Sequence, residues 1–263
     1  MEEPMMFGVP EAGLRRVLFY STLTAMTTGL GALPLVNCQA VTSRNIALSN
    51  CAAAGMCFAA SLALSLEGFA ESRLKVALGA LLGYLFIVVT RDFIERHEDI
   101  KFDALQGASA RKTLLLLVVM TAHSFAEGVG IGVSFKDRDV FGVYVSTALA
   151  IHNIPEGLAI ALVLVPQGTS VARAALWAVF SSLPQPFMAI PAYLFVHQFE
   201  GLLPIGLGFA ASAMAHVATF ELLKDAKEEM LKAKGTTGEV YGALTSAFVA
   251  MLAVQWALHE ASE

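Results

Sequence analysis

The chain has 263 residues, of which 56% are hydrophobic and 15% are charged, and its formal net charge is -5. Soluble domains usually contain about 45–50% apolar and about 25% charged residues, so this composition excludes an ordinary soluble protein. The ordinary numbers of glycine and proline, 21 and 9, exclude disorder in so apolar a chain, and three cysteines, a small and odd number, exclude a disulfide framework. The negative charge disfavours a nucleic-acid partner.

Eight apolar stretches are each long enough to cross a bilayer core about 30 Å thick, which takes roughly 20 helical residues. In chain order, the predicted helices one to eight cover about 17–38, 46–70, 74–94, 113–135, 140–165, 172–197, 201–223 and 240–259. The connectors between them are short. We therefore expect a single transmembrane domain over residues 1–263, with an all-α fold of eight helices, in a multi-pass integral membrane protein.

Lysine and arginine are unevenly divided between the two sides of this predicted bundle. The termini and the connectors on their side contain six of these residues, whereas the opposite set contains eleven. Because positive charge is enriched in cytoplasmic connectors, both termini are predicted to be non-cytoplasmic, and the long connectors 95–112 and 224–239 cytoplasmic. The first dozen residues have no basic segment, so no cleavable signal peptide is expected. The distribution of charge does not distinguish a plasma membrane from an organellar membrane.

Ionisable residues inside the apolar stretches are the strongest functional signal. A charged side chain at the bilayer centre costs at least ~2.5 kcal/mol, so such residues must face one another, water or a cation. The four acids are Glu67, Glu127, Glu156 and Glu221, and the histidines in the same segments are His123, His152 and His216.

The pattern H-x-x-x-E-G occurs twice, once in helix four and once in helix five. His123 precedes Glu127 by four residues, and His152 precedes Glu156 by four, which puts each pair on one helical face. Both pairs lie deep in their helices. Two neutral imidazoles and two carboxylates provide four ligands with a formal charge of -2, which suits Zn²⁺ and would also accept Fe²⁺, Mn²⁺ or Cd²⁺.

The two segments H-S-F-A-E-G and H-N-I-P-E-G-L-A-I-A resemble helices four and five of the ZIP family of divalent metal transporters, particularly its bacterial and organellar members. The resemblance implies an eight-helix bundle that moves Zn²⁺ and related ions towards the cytoplasm without ATP. It implies no prosthetic group, and its partners would be divalent metal ions and the lipid bilayer. A homodimer is compatible with it. Carried over to this chain, it makes His123, Glu127, His152 and Glu156 the central ligands.

The resemblance also indicates how many ions are held. Ser124 and Asn153 stand where the family often has Asn or Asp that helps to hold a second ion, and Gln185 stands where a related segment has Glu. The second position therefore lacks negative charge, since Gln185 offers a neutral carbonyl oxygen and Ser124 a hydroxyl. We expect one tightly held metal, with these three residues as secondary ligands or as hydrogen-bond partners of the ligands.

The remaining ionisable residues are candidates for the transport pathway. Glu67 lies near the non-cytoplasmic end of helix two and Glu221 near the cytoplasmic end of helix seven, so we expect the ion to arrive past the first and to leave past the second. His216 precedes Glu221 by five residues, which is off the same helical face. It is either part of this pathway or a packing residue.

A short repeat, F-A-A-S, occurs at residues 58–61 of helix two and 209–212 of helix seven. These helices run in opposite directions in the predicted topology. The pattern therefore indicates inverted repeats of helices one to three and six to eight around helices four and five. Chance is the alternative explanation, because small residues are common where membrane helices pack.

An intramembrane metal-dependent hydrolase is the alternative function, because the same ligands could activate a water molecule. The sequence has no H-E-x-x-H and no G-x-S-x-G, and both glutamates are needed as ligands. The phosphate-binding pattern of ATP-driven pumps is also absent. We therefore predict a metal transporter and not an enzyme.

Overall fold

The computed structural model describes residues 5–6, 9–36, 42–96, 101–102, 105–135 and 139–260. Nearly all of these residues are helical. Two antiparallel pairs of two-residue strands are the exception, with β1 (Met5–Met6) against β2 (Val9–Pro10) and β3 (Lys101–Phe102) against β4 (Leu105–Gln106).

The α-helices are α1 (Glu11–Thr27), α2 (Ser43–Glu71), α3 (Arg73–Glu95), α4 (Gly107–Ser134), α5 (Asp139–Leu164), α6 (Val171–Ser182), α7 (Pro184–Leu194), α8 (Val196–Glu200), α9 (Leu203–Val217), α10 (Leu223–Lys232) and α11 (Thr237–Glu260). Two segments of 3-10 helix, Thr28–Leu35 and Val165–Gln167, follow α1 and α5 directly. A π-helical turn, Ala218–Leu222, joins α9 to α10.

Six helical segments of the described chain are long and apolar enough to cross a membrane: Ser43–Glu71, Arg73–Ile94, Thr113–Ser134, Asp139–Gln167, Leu203–Lys232 and Thr237–Ala257. Predicted helices one and six are also helical in the structure, but each is interrupted. Helix one changes to 3-10 geometry after α1, and helix six is broken between α6 and α7. The prediction of an all-α, multi-pass membrane bundle is therefore confirmed.

The prediction that residues 224–239 form a connector is wrong for the first half of this range, because helix seven continues as α10 to Lys232. The prediction followed hydropathy, which falls where charged residues begin. The α10 helix is instead amphipathic, and its Ala226 and Met230 are buried against Ala47 and Cys51 of α2. The other long connector is shorter than predicted, since α4 begins at Gly107. Its residues 97–100 and 103–104 lie outside the described part of the chain.

The break in predicted helix six has a local chemical cause. Pro184 has no backbone N–H, so it cannot continue the hydrogen bonding of α6, and proline is favoured in the first turn of a new helix. The backbone N–H of Leu183 bonds the Phe180 carbonyl at 3.3 Å, and α7 begins at the next residue. The break places Gln185 in the first turn of α7, where it is fully buried.

The distribution of polar and apolar side chains is that of a protein in lipid. Large apolar residues such as Phe19, Val89 and Phe187 are more than 60% exposed, whereas the bundle interior contains histidine, glutamate, asparagine and glutamine side chains. A soluble protein would rarely present so large an apolar surface. The buried polar side chains of the interior are therefore the candidates for the functional site.

Helices two and seven of the prediction, which carry the F-A-A-S repeat, pack directly against each other. Ser61 of α2 donates a hydrogen bond of 2.7 Å to the Ala211 carbonyl of α9. The two copies of the repeat therefore meet within the bundle. The inverted-repeat relationship itself stays a prediction.

Candidate metal centre

The candidate metal centre is formed where α4 and α5 pack together in the bundle interior. His123 and Glu127 project from successive turns of α4, and Glu156 reaches them from α5. The three side chains are no more than 2% exposed. Nitrogen and oxygen atoms of all three lie within 4.8 Å of one another, which makes them a group that could hold a metal ion.

The distances in this group fit ligands of one small cation. The Nε2 atom of His123 is 3.4 Å from Glu127 Oε1 and 3.1 Å from Glu156 Oε1. Ligand atoms of tetrahedral zinc are about 2.0–2.2 Å from the metal, which puts two of them about 3.4 Å apart. The three side chains can therefore bind the same ion with little movement.

His152, the fourth predicted ligand, lies outside this group of three. It is 6% exposed, and its Nε2 atom makes no hydrogen bond within the described residues. Its ring lies close to the Glu127 side chain. The structure thus brings three of the four predicted ligands together and leaves the fourth buried beside them.

Buried polar atoms without a hydrogen bond are concentrated at this centre in the part of the chain that the structure describes. They include both ring nitrogens of His123, Oε1 of Glu127, Oε1 of Glu156, Nε2 of His152, Oγ of Ser124 and Oδ1 of Asn153. Leaving one such atom unpaired costs about 1–3 kcal/mol. So many unpaired polar atoms in one place are expected where a cation supplies the missing interactions.

Gln185 and Asn153 form a hydrogen-bonded support for the ligands. The Gln185 amide nitrogen donates to Glu127 Oε2 at 2.5 Å, and its carbonyl oxygen accepts from the Asn153 amide at 3.2 Å. The same Asn153 amide also donates to the Thr24 carbonyl at 2.9 Å, which leaves its own carbonyl oxygen unpaired. Gln185 therefore orients Glu127, whereas Asn153 keeps a free acceptor near the centre.

The glycine that follows each glutamate allows the backbone of a neighbouring element to approach, a role that was not predicted from the sequence. A Cβ atom on Gly128 would lie 2.5 Å from the Gln185 carbonyl oxygen of α7. On Gly157 it would lie 1.7 Å from the Thr28 carbonyl oxygen. Both positions therefore need glycine. The available signal was the repetition of E-G in both motifs.

The three predicted pathway residues are not part of the central group. Glu67 is exposed near the end of α2, and Glu221 is half-buried in the π-helical turn. His216 packs between aromatic rings, 4.5 Å from the Phe220 centroid and 6.3 Å from that of Tyr84. Their assignment to the pathway stays a prediction.

Most of the chain is similar in sequence to known zinc transporters. Residues 92–254, more than half of the sequence, match the family model described as ZIP Zinc transporter. The zinc transporter GufA of Myxococcus xanthus is 32% identical over 86% of this chain and 94% of its own length. The zinc transporter ZIPB of Bordetella bronchiseptica is 32% identical over 82% of this chain and 74% of its own length.

A longer relative from Arabidopsis thaliana, which carries a zinc-transporter name, is 40% identical over 81% of this chain. This chain spans 35% of that relative's length. The family match extends from the end of α3 to α11 and includes both H-x-x-x-E-G segments with their converging side chains. The chain belongs to the ZIP family of zinc transporters.

Proposed function

We propose that this chain moves Zn²⁺ across a membrane towards the cytoplasm, without ATP, by binding it between α4 and α5. The observation that carries the proposal is the convergence of His123, Glu127 and Glu156 in a buried, polar centre. Family membership supports transport rather than catalysis. The two carboxylates balance the charge of a divalent ion, so the bound ion is neutralised inside the bundle.

We propose His152 as the fourth ligand. Its unpaired Nε2 atom is a suitable donor for zinc, and it lies one turn before Glu156 on α5. A small rotation of α5 or of the ring would bring it to the ion. Asn153, whose carbonyl oxygen is also unpaired, and Ser124 are secondary donors, while Gln185 holds Glu127 in position.

Transport requires the centre to be reached from one side and then from the other. We place both termini on the non-cytoplasmic side, from the excess of lysine and arginine in the opposite connectors. The ion would then arrive near Glu67, exchange water for the central ligands, and leave near Glu221. Rigid movement of α4 and α5 against the rest of the bundle would change the access.

The central test is zinc uptake by proteoliposomes that contain the Glu156→Gln variant. The amide removes one charged ligand but keeps the side-chain volume, so uptake of radioactive zinc should fall to the level of empty liposomes. Zinc binding should weaken by at least about 100-fold. Glu260→Gln, which changes an exposed acid at the end of α11, is the matched control and should transport normally.

Normal uptake by Glu156→Gln would refute the central assignment. Measuring lipid and peptide hydrolysis on the same samples distinguishes transport from the alternative function, an intramembrane metal-dependent hydrolase. The hydrolase interpretation would require zinc-dependent product formation that is lost in Glu156→Gln while no zinc crosses the membrane.

A further inference from the structure

A polar cavity lies away from the metal centre, where α2, α5 and α10 meet. Its volume is about 180 Å³, which is room for a hydrated ion, since a water molecule takes about 30 Å³ of the liquid. One wall is acidic and comes from α10. The polar side chains of its lining are Asn50, Gln167, Asp225, Glu228 and Glu229.

The three acids lie on one face of α10, because they are spaced by three and four residues. Asp225 and Glu229 are half-buried, and Glu228 is exposed at the rim. The ammonium group of Lys232 is 2.5 Å from Glu229 Oε1 and also lies near Glu228 and Asp225, so one cationic group already faces the three carboxylates. This face of α10 therefore has an excess of negative charge directed towards the cavity.

Asn50 is an independent indication that a ligand binds here. Its side chain is 2% exposed and lines the cavity from α2, and its Oδ1 atom makes no hydrogen bond within the described chain. A buried amide oxygen without a donor is unfavourable. Beside three acids, this oxygen would be satisfied by coordinating a metal cation or by accepting a hydrogen bond from a water molecule bound to one.

Two helices lead from the metal centre to this cavity. On α5, Leu162 of the cavity lining follows Glu156 by six residues, about 9 Å along the axis. On α2, Cys57 lies in the same buried cluster as Ile160, one turn after Glu156, and Asn50 precedes Cys57 by seven residues, about 10 Å. The helices are antiparallel in the predicted topology, so both displacements point to the same, cytoplasmic side.

We propose that this cavity is a second divalent-cation site, which receives the transported ion after it leaves the metal centre. The inference rests on the proposed function for the identity and direction of the ion. All its donors are oxygens, from carboxylates and the Asn50 amide, whereas the centre also offers imidazole nitrogen. Oxygen ligands suit hard cations and hold zinc less tightly, so the site favours release.

The binding test uses the purified full-length protein with Zn²⁺ as the probe, in the Glu156→Gln background, where the tight site is disabled. A weak site that depends on the acids of α10 should be measurable by calorimetry and metal analysis, besides the residual binding by His123, Glu127 and His152. Adding Asp225→Asn with Glu228→Gln should weaken it at least tenfold, whereas adding the exposed control Glu260→Gln should not. Equal affinity with and without the α10 substitutions would overturn the proposal.

Asn50 provides a test that does not depend on loss of function. In the same background, Asn50→Asp adds a carboxylate to the cavity and should tighten the weak site several-fold, and Asn50→Leu should loosen it. Thermal denaturation of each variant checks the fold. If both substitutions leave zinc affinity unchanged, Asn50 is not a ligand and the site as described is wrong.

Uptake distinguishes a site for the transported ion from a site for a cytosolic divalent ion such as Mg²⁺. With the metal centre intact, Asp225→Asn with Glu228→Gln should reduce the zinc uptake rate several-fold and leave tight binding unchanged. An unchanged uptake rate would overturn the release role. Failure of the proposed function would look different, because unsubstituted protein would then show no uptake.

Discussion

The substitution Gly157→Ala tests whether backbone packing sets the geometry of the metal centre. Gly157 follows Glu156 on α5 and faces the 3-10 segment after α1. A Cβ atom at this position would lie 1.7 Å from the Thr28 carbonyl oxygen, and a Cβ atom on Gly31 would lie 2.2–2.5 Å from backbone atoms of this part of α5. The backbone at this contact has no flexible side chain that could move aside.

The required displacement follows from these distances. An ordinary contact of a Cβ atom with a carbonyl oxygen is about 3.4 Å, so α5 must move away from Thr28 by about 1.7 Å. Overpacking of this kind costs about 1–3 kcal/mol of stability. Glu156 moves with the helix, whereas metal–ligand distances tolerate only about 0.2 Å. Zinc affinity should therefore fall by at least about 100-fold, since a 1 Å misplacement of a functional group costs this much.

The assay is zinc titration of the purified variant, followed by uptake in proteoliposomes. Gly130→Ala is the matched control, because Gly130 also lies in a helix close to a motif, on α4, and a Cβ atom there meets nothing within 4 Å. It should bind zinc normally and be slightly more stable, by up to about 1 kcal/mol. Normal zinc affinity in Gly157→Ala, or equal losses in both variants, would refute the packing argument.

Three further predictions concern the ligands and the bundle. Gln185→Glu adds a carboxylate beside Glu127 and should allow a second zinc to bind; an unchanged metal content by elemental analysis would contradict the one-metal prediction. Zinc affinity should decrease as the pH is lowered, because protons compete for imidazole and carboxylate ligands, and a titration series that is flat with pH would exclude these ligand types. Ser61→Ala removes the hydrogen bond to Ala211 and should lower stability by about 0.5–1.5 kcal/mol without changing zinc affinity, as measured by denaturation and by titration.

The sequence was sufficient for the membrane class and for the residues around which the centre is built. Eight apolar stretches predicted the helices because crossing a bilayer imposes a minimum length, and this requirement acts on each segment separately. The spacing of His123 and Glu127 predicted that they share a face of α4, since helical periodicity is a local property. The predicted end of helix seven at residue 223 was wrong, because hydropathy falls where the amphipathic α10 begins although the helix continues.

Tertiary structure alone decided which side chains meet. It put Glu156 within 3.1 Å of His123 and left His152 beside the group, although both motifs have the same spacing. It also used the amide of Gln185 to hold Glu127, and it placed Asn50 opposite the acids of α10. Local periodicity fixes the face of one helix, but the rotation and depth of its neighbours depend on backbone contacts at small residues far apart in the chain.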